Sequence, residues 1–164
     1  MISPLMQLLD RVSPPERVSA HCDVPCGIYD PYAAQIAALT VVRMNQLMEG
    51  VEMPPSPSRA PLNTLSRHIV VKEQHAELVK KEIDILWHDY FRPEHLEKVP
   101  DLHTVVWQTN KLASKCKQEV NLQAAWDLLA SVQQVAEAFW LTKGVATRKI
   151  PSNQTVGGEL VVPA

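Results

Sequence analysis

Proline placement constrains the fold of this 164-residue chain more than any other feature. Its thirteen prolines gather at Pro4, Pro14 and Pro15 and again at Pro54, Pro55, Pro57 and Pro61, with Pro31, Pro93 and Pro100 standing alone at intervals. Proline lacks the backbone N–H and clashes with the preceding helical turn, so each cluster is a break. The stretches between them are rich in Ala, Leu, Val, Gln, Glu and Lys, and the whole chain holds only five glycines. This distribution predicts long helices separated by proline-marked breaks.

Apolar spacings of three, four and seven mark four helical segments. The first runs from about Pro31 to Met48, with Asp30 as N-cap, Gly50 just past its end, and a stripe of Ile36, Leu39, Val41 or Val42, Met44, Leu47 and Met48. A loop over 51–65 carries the central prolines. The second helix spans about Arg67 to Phe91 through Ile69, Ala76, Val79, Ile83, Leu86 and Tyr90, and Pro93 stops it. Pro100 opens the third, to about Cys116, with Leu102, Val105, Val106, Thr109, Leu112 and Cys116 on one side. The fourth runs from about Asn121 to Thr142 through Leu122, Trp126, Leu129, Val132, Ala136 and Phe139 or Trp140, with Gly144 at its C′ position. The fold class expected is all-α, an antiparallel up-down-up-down four-helix bundle. Residues 144–164 read as a poorly ordered tail.

Several function classes drop out. A net charge of −2 without a Lys/Arg run, and aromatics at 5%, argue against nucleic-acid binding. No stretch reaches the ~20 apolar residues that cross a bilayer, and residues 1–20 lack the basic start of a secretory signal. Three cysteines make an odd count, which speaks against a closed disulfide framework and for a reducing, cytoplasmic setting.

The chemistry concentrates in His21-Cys22-Asp23-Val24-Pro25-Cys26-Gly27-Ile28-Tyr29. Cys-x-x-x-Cys alone fits a disulfide, half a zinc site or coincidence, and no second cysteine pair exists to complete a structural zinc centre. The flanks add weight. His21 next to Cys22 offers an imidazole, a thiolate and the intervening amide nitrogen. Pro25 turns the chain so that Cys26 folds back, and Gly27 permits close backbone approach. Anionic amide and thiolate donors in one plane favour a square-planar ion such as nickel(II) and stabilise its higher oxidation state.

The run His21 to Pro31 resembles the H-C-D-x-P-C-G-x-Y-D-P signature of nickel superoxide dismutases. Further likeness lies in Val71-Lys72-Glu73-Gln74, Ala76-Glu77-Leu78, Leu86-Trp87, Asp89-Tyr90-Phe91 with Pro93, Leu102-His103, and Phe139-Trp140 with Thr142-Lys143. The resemblance implies disproportionation of superoxide by Ni(II)/Ni(III) cycling, with one nickel ion per chain and His21, Cys22 and Cys26 as its ligands. It implies a leader, residues 1–20, removed by a maturation protease cutting after Ala20 so that the His21 amine is freed. It makes Tyr29 an outer-sphere gate and Asp23 an orienting and proton-delivering group, makes the Pro25 peptide bond cis, and implies a homohexamer. The domains expected are the leader 1–20, a nickel hook 21–29, the bundle 30–143 and the tail 144–164.

Two departures stand out. The family resemblance calls for a Glu at Ala37 and an Arg at His75, a pair that fixes the axial imidazole, and both are missing together. A charged pair lost jointly leaves no orphan buried charge, but the imidazole then needs another orientation. That gap keeps a second reading open: a non-catalytic helical bundle that stores or senses nickel or copper. His68, His75, His88, His95 and His103 form no carboxylate-flanked pair of their own, and Cys116 reads as a small core residue.

Overall fold

The structure, a computed structural model, describes residues 27–52, 54–56 and 58–164. Four long helices carry it: α1 (Tyr32–Glu49), α2 (Arg59–Ile85), α4 (Leu102–Gln118) and α5 (Leu122–Thr142). The one-turn α3 (His95–Lys98) bridges α2 and α4, and a hairpin of β1 (Thr147–Pro151) and β2 (Glu159–Pro163) comes after α5. The long helices form a ring in which α1 packs on α2 and α5, and α4 packs on α2 and α5.

The expected stripes are the buried faces, with one shift. On α4, Leu102, Val105, Val106, Thr109 and Cys116 are all buried, and on α2 Ala76, Val79, Ile83 and Leu86. On α1 the buried face is turned toward smaller residues: Ala34, Ala37, Ala38, Val41 and Val42 are buried, while Ile36, Met44 and Leu47 are half-buried. Small residues there let neighbouring backbones approach closely.

Local chemistry sets the ends. The Asp30 Oδ1 accepts the Tyr32 N–H at 2.7 Å, an Asx turn that leads into α1, with Pro31 rather than Asp30 at the cap position. Asn121 caps α5 through the Ala124 N–H, and Gly144 ends it in a Schellman motif, with Gly144 N–H on the Leu141 carbonyl and Val145 N–H on the Trp140 carbonyl. Buried Lys72, missed by the apolar pattern, extends its amine to the carbonyls of Lys117 (3.2 Å) and Glu119 (2.6 Å), closing the end of α4. Burial lowers the pKa of this amine against the pull of Glu73, Cys116 and Glu119.

Three expectations are corrected. First, α2 begins at Arg59, not near Arg67. Pro61 lies in its first turn, where no intrahelical partner is available for the N–H anyway, so proline is tolerated. Second, α2 ends by widening into a π-turn, Leu86–Tyr90, closed by Phe91 N–H on the Leu86 carbonyl at 2.8 Å. Such turns insert a residue and reorient the chain beyond them.

Third, the chain is not all-α, because residues 147–163 form an antiparallel hairpin. Ser152 organises its connecting loop, its N–H donating to the Gly158 carbonyl and its hydroxyl to the Gly157 carbonyl. Leu160, Val161 and Val156 are buried. The hairpin also explains why α5 is buried on two sides: Gln133, beyond the bundle-facing stripe, donates to the Glu159 carbonyl at 2.8 Å.

Candidate metal centre

The expected ligands His21, Cys22 and Cys26, together with Asp23, Pro25 and the leader 1–20, lie outside the described residues. The structure describes the residues that follow that segment, from Gly27 onward. Gly27 adopts φ +71°, a left-handed conformation that side chains disfavour. Ile28 is 76% exposed, while Tyr29 is half-buried and packed against the core. Among the described residues, Tyr29 is thus the first side chain packed against the core.

Tyr29 sits beside Tyr90, ring centroids 5.7 Å apart. Tyr90 comes from the π-turn, and its surroundings are dense. His95 of α3 stacks on it at 5.3 Å, and Phe139 of α5 lies 4.5 Å away. The Lys143 ammonium stands 5.5 Å over the Tyr90 ring and 4.8 Å over Phe139, a cation–π arrangement. The Thr142 hydroxyl donates to the Phe139 carbonyl at 2.7 Å, so in the 2.8 Å contact between Tyr90 Oη and Thr142 Oγ1 the phenol is the donor. Lys98 donates to the Thr142 carbonyl at 3.1 Å. His95 Nδ1 accepts the Arg92 N–H, which puts the proton of neutral His95 on Nε2.

Tyr29, Tyr90, Arg92 and His95 line a cleft of about 280 Å³ together with Gly27, Asp89 and Glu94. It is open, polar and of mixed charge, suited to a small hydrated ion rather than a large apolar ligand. The family resemblance placed Tyr29 near the centre, and it included Tyr90 and Lys143 without giving either a role. Nothing was assigned to Arg92 or His95, because a π-turn and a one-turn helix bring them to Tyr90 and neither has a periodic signature.

Elsewhere, the two positions expected to fix the axial imidazole make other contacts. Ala37 is buried in the core, and His75 Nδ1 lies 2.8 Å from the Val71 carbonyl of its own helix. Among the described residues no group of three or more His, Cys, Asp or Glu side chains could hold a metal. Cys116 is free and buried between helices, and burial pushes its thiol up to about 11. It is a core residue, as its position on α4 suggested. The sequence-expected donors His21, Cys22 and Cys26 stand within six residues of one another, immediately before Gly27.

The frame is that of a mostly helical protein with a small polar cleft where its first described residues meet the π-turn. The family of nickel-containing superoxide dismutases matches residues 16–143, and the chain belongs to it. The nickel superoxide dismutase of Streptomyces coelicolor is 40% identical over 137 residues, covering 83% of this chain and 98% of that protein. The one from Streptomyces seoulensis is 39% identical over the same length. A native nickel superoxide dismutase structure aligns with TM-score 0.66 at 39% identity, covering 75% of this chain and 99% of the other. A structure in the oxidised ligation state aligns with TM-score 0.67 at 38% identity.

Proposed function

We propose that the chain is a superoxide dismutase that holds one nickel ion per chain in the hook 21–29. The observation that carries this is the donor run His21–Cys26, which falls within the matched family stretch and joins directly to the Tyr29–Tyr90 cleft. In this reading two superoxide anions and two protons become oxygen and hydrogen peroxide, with nickel alternating between Ni(II) and Ni(III) to supply the one-electron couple.

The residues divide the remaining work. Cys22 and Cys26 would supply thiolates, the Cys22 amide a nitrogen, and His21 its amine and imidazole. Because that amine exists only once Ala20 is cut away, the leader 1–20 keeps the site from closing before maturation. Tyr29 holds small anions or water near the metal by its phenol, and Asp23 orients the hook and assists proton delivery. Tyr90 keeps its own proton on Thr142, which leaves it a ring support for Tyr29. We read the ring of helices as an antiparallel up-down-up-down bundle, the assembly as a homohexamer, and the setting as cytoplasmic. No helix among the described residues is long and apolar enough to cross a membrane.

The decisive experiment is intact-mass and metal analysis of the matured protein, then a superoxide assay. A chain beginning at His21 with one nickel and rapid superoxide turnover is expected. Cys22→Ser and Cys26→Ser are each expected to lose nickel and at least about a hundredfold of activity, with the helical content unchanged. Trimmed, nickel-loaded protein that leaves superoxide untouched would overturn the assignment.

A further inference from the structure

The hairpin lies beyond residue 143, where the family match ends. It is also built onto the helix that carries the hook. Gln35, in the first turn of α1, is fully buried. Its side-chain amide clasps one residue of β2 from both sides: Nε2 donates to the Val161 carbonyl at 3.0 Å, and Val161 N–H donates to Oε1 at 2.7 Å. A two-point amide contact fixes rotation as well as distance. A second tie, Gln46 Nε2 to the Val156 carbonyl at 3.2 Å, holds the far end of α1 to the hairpin loop.

The other side of the hairpin is fixed to α5. Gln133 donates to the Glu159 carbonyl, and the Lys149 ammonium lies 3.6 Å from the Glu137 carboxylate. Gly158 is wedged between both helices, so a Cβ there would lie 3.1 Å from Trp126 and 3.2 Å from Leu39. The segment joining hook to bundle is short. Tyr29 is anchored on Tyr90, the Asp30 turn leads into α1, and Gln35 comes one turn later.

We propose that the C-terminal hairpin is a brace for the metal hook, with Gln35 as a positioning residue that fixes the start of α1 and with it Gly27 to Tyr29, to which residues 21–26 are joined in sequence. Metal-centre geometry tolerates displacements of only about half an ångström, so a helix start free to shift translates into a looser site. The proposal rests on the assignment of nickel to the hook, and its test separates the two.

Matured chain, beginning at His21, is prepared as wild type, Gln35→Ala and Gln133→Ala. The last loosens the hairpin from α5 without touching α1. Each is loaded with nickel, and nickel release to excess chelator is monitored by the thiolate–nickel absorbance, beside thermal melting and the paramagnetic resonance spectrum of the oxidised site. Gln35→Ala is expected to release nickel about tenfold faster or more with a broadened spectrum, and Gln133→Ala to stay within about twofold of wild type even where its melting temperature falls comparably. Equal release by all three, or release that simply tracks melting temperature in both variants, overturns the brace. Gln35→Met, which keeps the side-chain length and adds no charge but loses both contacts to Val161, gives the same reading should Gln35→Ala fail to fold. Wild type that takes up no nickel overturns the metal assignment and the brace with it.

Discussion

The helical ring and the C-terminal hairpin are held to the same two helices, α1 and α5, by different physics. Within the ring, apolar faces meet: Val79 and Ile83 on α2, Val105 and Val106 on α4, and Leu128, Val132 and Phe139 on α5 are buried together. The hairpin contributes few apolar side chains, chiefly Leu160, Val161 and Val156, and depends on glutamine amides from α1 and α5 reaching its backbone. The apolar face is tolerant of detail and sums over many contacts. The amide contact is local, directional and costly to leave half made.

The largest expected effect tests the ring. Leu128→Ala empties a fully buried site on α5 and is expected to cost about 2–5 kcal/mol, lowering the midpoint of chemical unfolding for helices and hairpin in a single transition. If the hairpin melted separately, amide exchange at Val161 would lose protection before exchange at Val132, and the two regions would be energetically independent.

That contrast also explains how much of the molecule was legible in its sequence. The stripes on α2, α4 and α5 were legible because burial on one side of a helix imposes a 3.6-residue period, and Leu102 to Cys116 kept to it closely. The hairpin was not legible, since Thr147–Pro151 carries two exposed charges and a terminal proline, and its partners are glutamines that look like surface residues in sequence. Gln35 and Gln133 sit at positions that the helical pattern would leave to solvent, and only a second layer makes them interior. The same limit held at the centre. His21, Cys22, Cys26 and Tyr29 stand in one contiguous run, whereas the cleft beside Tyr29 is assembled from Tyr90, Arg92 and His95 around a π-turn that leaves no spacing rule to recognise.

Breaking the hairpin's seat is the next largest effect. Gly158 has φ +77° and abuts Trp126, Leu39 and Leu129, so Gly158→Ala meets both backbone strain and overpacking, together about 2 kcal/mol or more. Hydrogen exchange resolves where that cost falls. Protection should drop at Gly158 to Val162 and at the α1 residues near Gln35, while the α2–α4 side, around Val79 and Val106, changes little. Uniform loss across the ring would mean that the hairpin opens only with global unfolding and has no local opening of its own.

The smallest effect isolates the ring by pH. Cys116 is buried at the end of α4, where burial raises its thiol from 9.0 to about 11, opposed by the charges of Lys72 and Lys115 and reinforced by Asp127 and Glu119. A thiol whose pKa is higher folded than unfolded contributes stability that is complete below pH 9 and is lost as pH rises toward 11, because the unfolded chain gives up its proton first. By pH 10 the loss attributable to this group is about 1 kcal/mol. Lys72 works in the opposite sense: its lowered amine pKa means that the folded chain releases a proton before the unfolded one, so its contribution improves as pH approaches 10.5. Comparing the slope of unfolding free energy against pH in wild type and Cys116→Ala between about pH 8 and 10.5 isolates the thiol together with its coupling to Lys72, leaving out the burial of the amine, which both proteins share. The variant's curve should be flatter on its falling side by about that amount, and hydrogen exchange should place the difference at α2 and α4. Identical slopes would show that Cys116 ionises as readily in the folded chain as in water, and that the end of α4 is open to solvent.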